Sequence, residues 1–383
     1  MVIATLLSVL FSWFLCLVLI RYARGHAHEY GEFLPQRFHL GAVPRVGGLG
    51  IAVGWAAGLV GVIAIAEISG ANSEVLTLPG RLEVWWSLVL LPPVLGGLWE
   101  DLSQRLSPAI RLSLTSISAL LAIFFLDLSI QRLGFAWMDV HWSAWPMLGL
   151  GLAFVAVAGL PHAFNLIDGY NGLAGTVATI ICVAVAHVAL QLGDRPLALM
   201  VLTLAGGTAG FLIWNYPRGL IFAGDGGAYL WGGAIAIACI TLVQRHEEVS
   251  PWFPMLLLIY PVWETVFSIY RKLARGGSPG VADALHLHQL IYRRIVREVF
   301  HDDAARRMLT RNNRTSPYLW GFTLLSVIPA VLFWRNTPML MGFCMLFVLT
   351  YVPLYLMIVR FKVPRWIRRG LHKHEIGRPG PYR

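Results

Sequence analysis

Hydrophobic residues recur along this chain in long runs, each predicting a helix able to cross a bilayer. Hydropathy predicts about eleven such spans, at 2–22, 46–68, 84–99, 109–128, 146–164, 172–192, 196–214, 227–243, 252–270, 317–333 and 338–359. The fold class this implies is an all-α polytopic membrane protein. Pro92, Pro93, Pro254 and Pro261 fall inside runs and predict kinked or broken helices. Membranes tolerate such breaks where they line a cavity.

Composition strengthens this pattern. The 383 residues are 57% hydrophobic and 13% charged, with a mean hydropathy of +0.65, beyond what a soluble domain tolerates. Charge then supplies an orientation. No Lys or Arg precedes the first run, whereas Arg21, Arg24, Arg37 and Arg45 follow it, which predicts an N-terminus outside. That run lacks the basic start and small-residue cleavage site of a signal peptide. Alternating from there places 25 of the 30 Lys and Arg, with the C-terminus, on the cytoplasmic side. The net charge of +10 is thus a face suited to anionic lipid and phosphate, with no sign of a nucleic-acid fold.

The expected organisation is one transmembrane unit over residues 1–360 and a basic cytoplasmic tail over 361–383. Its longest cytoplasmic loop, 271–316, predicts an amphipathic helix around 290–300. Cys16, Cys182, Cys239 and Cys344 stand singly inside runs and read as small reduced core residues.

The scarce carboxylates and amides carry the chemistry. Glu100-Asp101, the segment Asn165 to Gly169, and Gly224 to Gly227 each lie where an apolar run ends, and all three fall on the cytoplasmic side. Carboxylates kept at membrane depth usually serve ions, protons or phosphates. Glu100 and Asp101, about 100° apart on a helix, address different targets. Asn165, Asp168 and Gly172 recur at i, i+3 and i+7 and predict one helix face, with capping by Asp168 or Asn171 as the plainer role. Asp225 among glycines suits either an N-cap or Mg²⁺ beside a phosphate held at a helix N-terminus. His286 and His288 form an HxH pair without a structural-zinc spacing, which favours hydrogen bonds to a pyrophosphate over zinc. Arg45, Arg105 and Arg111 can receive a phosphate or simply follow the positive-inside rule. Glu264 lies at i−7 from Arg271 and predicts a structural ion pair.

In order, PRVGGLG (44–50), GLWEDLSQRLSPAIR (97–111), FNLIDGYNGLAG (164–175), NYPRGLIFAGDGGAY (215–229) and DALHLHQ (283–289) resemble the polyprenyl-phosphate N-acetylhexosamine-1-phosphate transferases. The resemblance runs from about residue 37 to 290 and lies nearest the polysaccharide-initiating branch. It implies transfer of a sugar-1-phosphate from a UDP-N-acetylhexosamine to undecaprenyl phosphate, with release of UMP, to begin cell-surface polysaccharide or O-antigen synthesis. It further implies Mg²⁺, with Mn²⁺ as a substitute, and a multi-pass protein of the bacterial inner membrane whose site faces the cytoplasm.

Carried across by motif, Asp225 matches the metal-binding aspartate, with Asp101 a second candidate ligand. Glu100, Asp101, Asp168 and Asp225 are the expected catalytic acids. Asn165, Asn171, Asn215, His286, His288, Arg45 and Arg105 are the expected substrate contacts. The partners are the two substrates and the bilayer, with a homodimer left open. Glu100 stands where the family usually has Asp, Asn171 replaces the second Asp of DGxDG, and Gln289 replaces a third His. A secondary transporter and an inactive scaffold of the same family are the alternatives.

Overall fold

The computed structural model describes residues 1–23, 43–68, 79–276, 285–296 and 303–360, and every regular element among them is a helix. In chain order these are α1 (Val2–Tyr22), α2 (Gly47–Ile68), α3 (Pro79–Ser103), α4 (Pro108–Leu126), α5 (Ala136–Ser143), α6 (Pro146–Ile167) and α7 (Leu173–Gln191). There follow α8 (Arg195–Asn215), α9 (Gly224–Arg245), α10 (Trp252–Leu257), α11 (Ile259–Ala274), α12 (Leu287–Arg294), α13 (Ala304–Leu332) and α14 (Thr337–Val359). Nine of them are long and apolar enough to cross a membrane: α1, α2, α4, α6, α7, α8, α9, α13 and α14.

The difference from about eleven expected spans lies in two places. The run at 84–99 belongs to α3, a continuous 25-residue helix that carries Pro92, Pro93 and the Glu100–Asp101 pair within it. The run at 252–270 is broken, with Leu258 ending α10 and preceding α11, between Pro254 and Pro261. The tail from 361 onward, residues 297–300 of the expected amphipathic helix, and Asp283 and Ala284 of the histidine motif lie outside the described residues.

At the centre stands α9, with every residue from Gly226 to Leu242 buried, so that this stretch shows no face to water or lipid. It packs against α2, α3, α6 and α7. Small residues let the neighbours approach closely, as membrane bundles require in the absence of a hydrophobic drive between helices. On one flank, α1 is bolted to α8 by Ser8 and Ser12, whose hydroxyls donate to the Thr203 and Gly207 carbonyls at 2.6 Å each.

The helices alternate in direction and leave a polar end on each side. At one end Gln244 bridges the Asp127 carbonyl and the Ser129 N–H, and Asp194 pairs with Arg245 and His246. At the other end the acidic motifs meet. With 22 residues, α9 separates the two by about 33 Å. All four cysteines are buried.

Candidate active site

The site is built on the N-terminus of α9. The segment entering it pairs with PRVGGLG: Phe222 N–H donates to Pro44 O at 2.9 Å, and Gly47 and Gly48 N–H donate to Phe222 O and Ala223 O at 2.8 Å. The chain then turns at Gly224 with φ +70°, where a Cβ would lie 2.4 Å from both Asp101 carboxylate oxygens. This turn aims the first free N–H groups of α9 at Asp101. Asp225 N–H donates to Oδ1 at 2.8 Å and Gly226 N–H to Oδ2 at 3.0 Å. A buried carboxylate from α3 therefore caps α9, where the helix dipole favours negative charge.

Asp225, in the first turn of α9, is the hub. Its Oδ1 accepts from Asn165 Nδ2 at 2.7 Å; its Oδ2 accepts from Arg111 Nη1 at 2.8 Å and from the Tyr229 hydroxyl at 3.1 Å. A carboxylate offers about four acceptor positions, so these three donors leave room for a further contact. Asp168 follows the last residue of α6 and is half-buried, with no hydrogen bond to its carboxylate from the described residues. Burial, helped by the charge of Asp225 and opposed by Arg45, pushes its pKa up to about 7.

Two neighbouring carboxylates and an amide oxygen form an oxygen-only donor set, the kind Mg²⁺ takes. Among the described residues no group of three or more His, Cys, Asp or Glu is placed to hold a metal ion. A cation here would thus be held by Asp225 and Asp168 together with oxygens from outside the protein, the ordinary Mg²⁺ arrangement.

The remaining expected residues divide into four groups. Glu100 closes its own helix end, its Oε2 accepting Leu106 N–H at 2.7 Å, so the adjacent acids do address different targets. Arg45 is half-buried with its charge acting on Asp168, whereas Arg105 is exposed. Asn215 is buried inside the protein, accepting Gly172 N–H at 2.6 Å and donating to Ile221 O at 2.8 Å. Asn171 is buried as well, with Nδ2 donating to Asn313 Oδ1 at 2.9 Å and its N–H to Asn312 Oδ1 at 2.8 Å.

His286 and His288 are buried and stacked, with ring centroids 5.4 Å apart and planes 11° from parallel. His288 Nε2 lies 3.1 Å from where a Gly169 Cβ would stand, so the pair backs the loop after Asp168. Burial, then the charge of His286, lowers the His288 pKa to about 3 against the pull of Glu264, and His288 is neutral at physiological pH.

Two expectations are corrected. The shared face of Asn165, Asp168 and Gly172 does not exist, because α6 ends at Ile167 and Gly172, at φ +71°, precedes α7. Glu264 faces Leu287, His286 and Tyr351 instead of Arg271. Tyr229, on Asp225, was absent from the expected site, while Arg111, a candidate phosphate receiver in the sequence, pairs with Asp225. Tyr229 stands one helical turn beyond Asp225, a spacing that puts both on one face. Arg111 sits 114 residues from its partner, and no local pattern points to that pairing.

Fold and site together define an all-helical polytopic membrane protein with an acidic centre at one end of the bundle. Residues 84–243 match the model of glycosyl transferase family 4. The chain is 27% identical over 258 residues to a probable undecaprenyl-phosphate N-acetylglucosaminyl 1-phosphate transferase of Bacillus subtilis, covering 66% of each chain. It is 30% identical over 211 residues to a phospho-N-acetylmuramoyl-pentapeptide-transferase of Levilactobacillus brevis, covering 53% of this chain and 65% of the relative. A third relative, an undecaprenyl-phosphate alpha-N-acetylglucosaminyl 1-phosphate transferase of Escherichia coli O157:H7, is 25% identical over 287 residues, covering 71% and 72%. The chain thus spans slightly under two thirds of the length of the first two.

Proposed function

We propose that this protein transfers an N-acetylhexosamine-1-phosphate from a UDP-sugar to undecaprenyl phosphate at the cytoplasmic face of the bacterial inner membrane, initiating surface polysaccharide synthesis. The convergence of Asp225, Asp168, Asn165 and Arg111 at one bundle end carries this reading. The names of the relatives support the substrate class, and the lopsided Lys and Arg distribution supports the side. The acids gather at helix ends, whereas a transporter would hold them near mid-membrane.

In the reaction, an oxygen of the lipid phosphate forms a bond to the sugar-linked phosphorus, and the bond from that phosphorus to the bridging oxygen breaks. UMP departs with that oxygen. Positioning and charge neutralisation dominate such transfers. The acceptor phosphate is largely ionised near neutrality, its second pKa being about 6, so no base is required. Asp101 accordingly serves as a brace, both oxygens accepting from the α9 backbone. Asn165 and Tyr229 orient Asp225, and Arg111 offsets the negative charge gathering there. Bound Mg²⁺, held by Asp225 and Asp168, would supply Lewis-acid polarisation of the diphosphate.

The test is purified protein with radiolabelled UDP-N-acetylglucosamine, undecaprenyl phosphate and Mg²⁺, followed by a panel of UDP-sugars scored by UMP release. A chloroform-extractable labelled product is expected. Asp225→Asn should abolish it while the protein still folds; wild-type turnover by that variant overturns the assignment.

A further inference from the structure

One polar side chain within the spans has no part in the chemistry above. His162 lies on α6, one turn before Asn165, and is half-buried. A histidine at this depth is costly unless its ring nitrogens find partners. Its Nε2 lies 3.1 Å from Thr115 Oγ1 on α4. Thr115 is fully buried, and its hydroxyl donates to the Leu112 carbonyl at 2.9 Å. That spends the single hydroxyl proton, so the oxygen accepts from a protonated Nε2. No other hydrogen bond joins α4 to α6 among the described residues.

The link matters because of what α4 carries. Arg111 stands one turn before Thr115, on the same face, and reaches Asp225 through Nη1 alone. Its Nε is buried without a hydrogen bond from the described residues. A two-pronged pair fixes a guanidinium in direction and a single prong does not, so Arg111 takes its place largely from its helix. That helix is lightly held. Of the 19 residues of α4, only Thr115, Ser118, Ala119 and Ala122 are buried. Its far end is anchored on α3, where Phe125 stacks on Trp85 with ring centroids 4.4 Å apart. Its near end, beside Asp225, has the bond from His162 to Thr115. The His162 ring also meets Tyr229 edge-on, centroids 5.3 Å apart, and Tyr229 donates to the same Asp225 oxygen as Arg111.

We propose that His162 is a positioning residue of the site: by holding Thr115 it sets the rotation of α4, and with it the contact of Arg111 with Asp225. The charge-offsetting role of Arg111 rests on the transferase proposal; its placement by His162 does not.

His162→Leu and Thr115→Val each remove the bond while keeping the bulk, whereas His162→Gln keeps an N–H at the reach of Nε2. In full-length protein carrying ¹⁵N-arginine, with Arg111 assigned by its loss in Arg111→Lys, proton exchange at its guanidinium should quicken in His162→Leu and in Thr115→Val. It should return to the wild-type rate in His162→Gln. UMP release should fall about ten- to a hundredfold in the first two variants, through kcat with KM for the UDP-sugar kept, and recover in the third. Melting midpoints should barely move, because single interhelical hydrogen bonds in membranes are weak. The double variant His162→Leu with Thr115→Val should lose no more than either alone. Unchanged guanidinium exchange in both disrupting variants, no recovery in His162→Gln, or additive losses in the double variant would overturn the proposal. Absence of UMP release by the wild type would instead sink the transferase proposal, and the exchange rates would still decide the placement of Arg111.

Discussion

At Asn171 the chain carries an amide where the resemblance leads one to expect a carboxylate. Its surroundings explain the difference. Besides its two bonds to Asn312 and Asn313, its carbonyl accepts the Ser316 hydroxyl at 2.6 Å. A carboxylate would face Asn313 Oδ1 with no proton to offer, and flipping Asn313 would forfeit its bond to Pro217 O. Asn171→Asp should therefore lose about 1–3 kcal/mol of stability and gain no turnover, as melting in detergent and UMP release will show. Nothing local in the sequence announces partners 141 and 142 residues away. The same holds for Glu264, whose i+7 spacing suggested Arg271 while the tertiary fold supplied Leu287 and Tyr351.

His288 makes a prediction in pH. Its pKa falls from 6.5 to about 3 on folding, so the unfolded chain binds the extra proton between those values. The stability it contributes is fully present above pH 6.5 and drains away as pH falls toward 3. Asp168, raised from 3.8 to about 7, acts in the opposite sense, its contribution present below 3.8 and lost as pH rises through 7. The wild-type profile blends the two, so a variant must separate them. Melting scans of His288→Asn should lose the decline between pH 6.5 and 5 that His288 causes.

Among the elements, hydropathy located most of the helices because charge is so rare that each apolar run ends unambiguously. Pro254 and Pro261 flagged the region that breaks at Leu258, while Pro92 and Pro93 are accommodated within an unbroken helix. The close approach of α3 to α9 was not legible. It depends on Gly97, where a Cβ would lie 2.5 Å from the Gly226 nitrogen. Backbone cannot yield as a side chain can, so Gly97→Ala must push α3 away and carry Asp101 off its cap. Such a displacement, about 1 Å, should cost about a hundredfold in UMP release and lower the melting midpoint. Unimpaired release would mean that the contact has slack.

For the whole molecule, the charge asymmetry and the two polar ends make a single statement about sidedness. Arg105 and Glu247 are exposed near opposite ends of the bundle, and the four native cysteines are buried, so background labelling is low. Arg105→Cys should react with a membrane-impermeant maleimide only in inverted vesicles, and Glu247→Cys only in right-side-out cells. Labelling of both from one side would refute the alternation of spans.

The burial of α9 on every side bears on how substrates are received. A helix surrounded by close-packed neighbours cannot slide or roll cheaply, and a one-residue slip would swing Asp225 about 100° around the axis. The floor of the reaction chamber is consequently stationary. In the proposed transfer, whatever adjustment accompanies nucleotide arrival and lipid departure must be made by the walls, leaving charges on the floor preset for the moment of bond exchange.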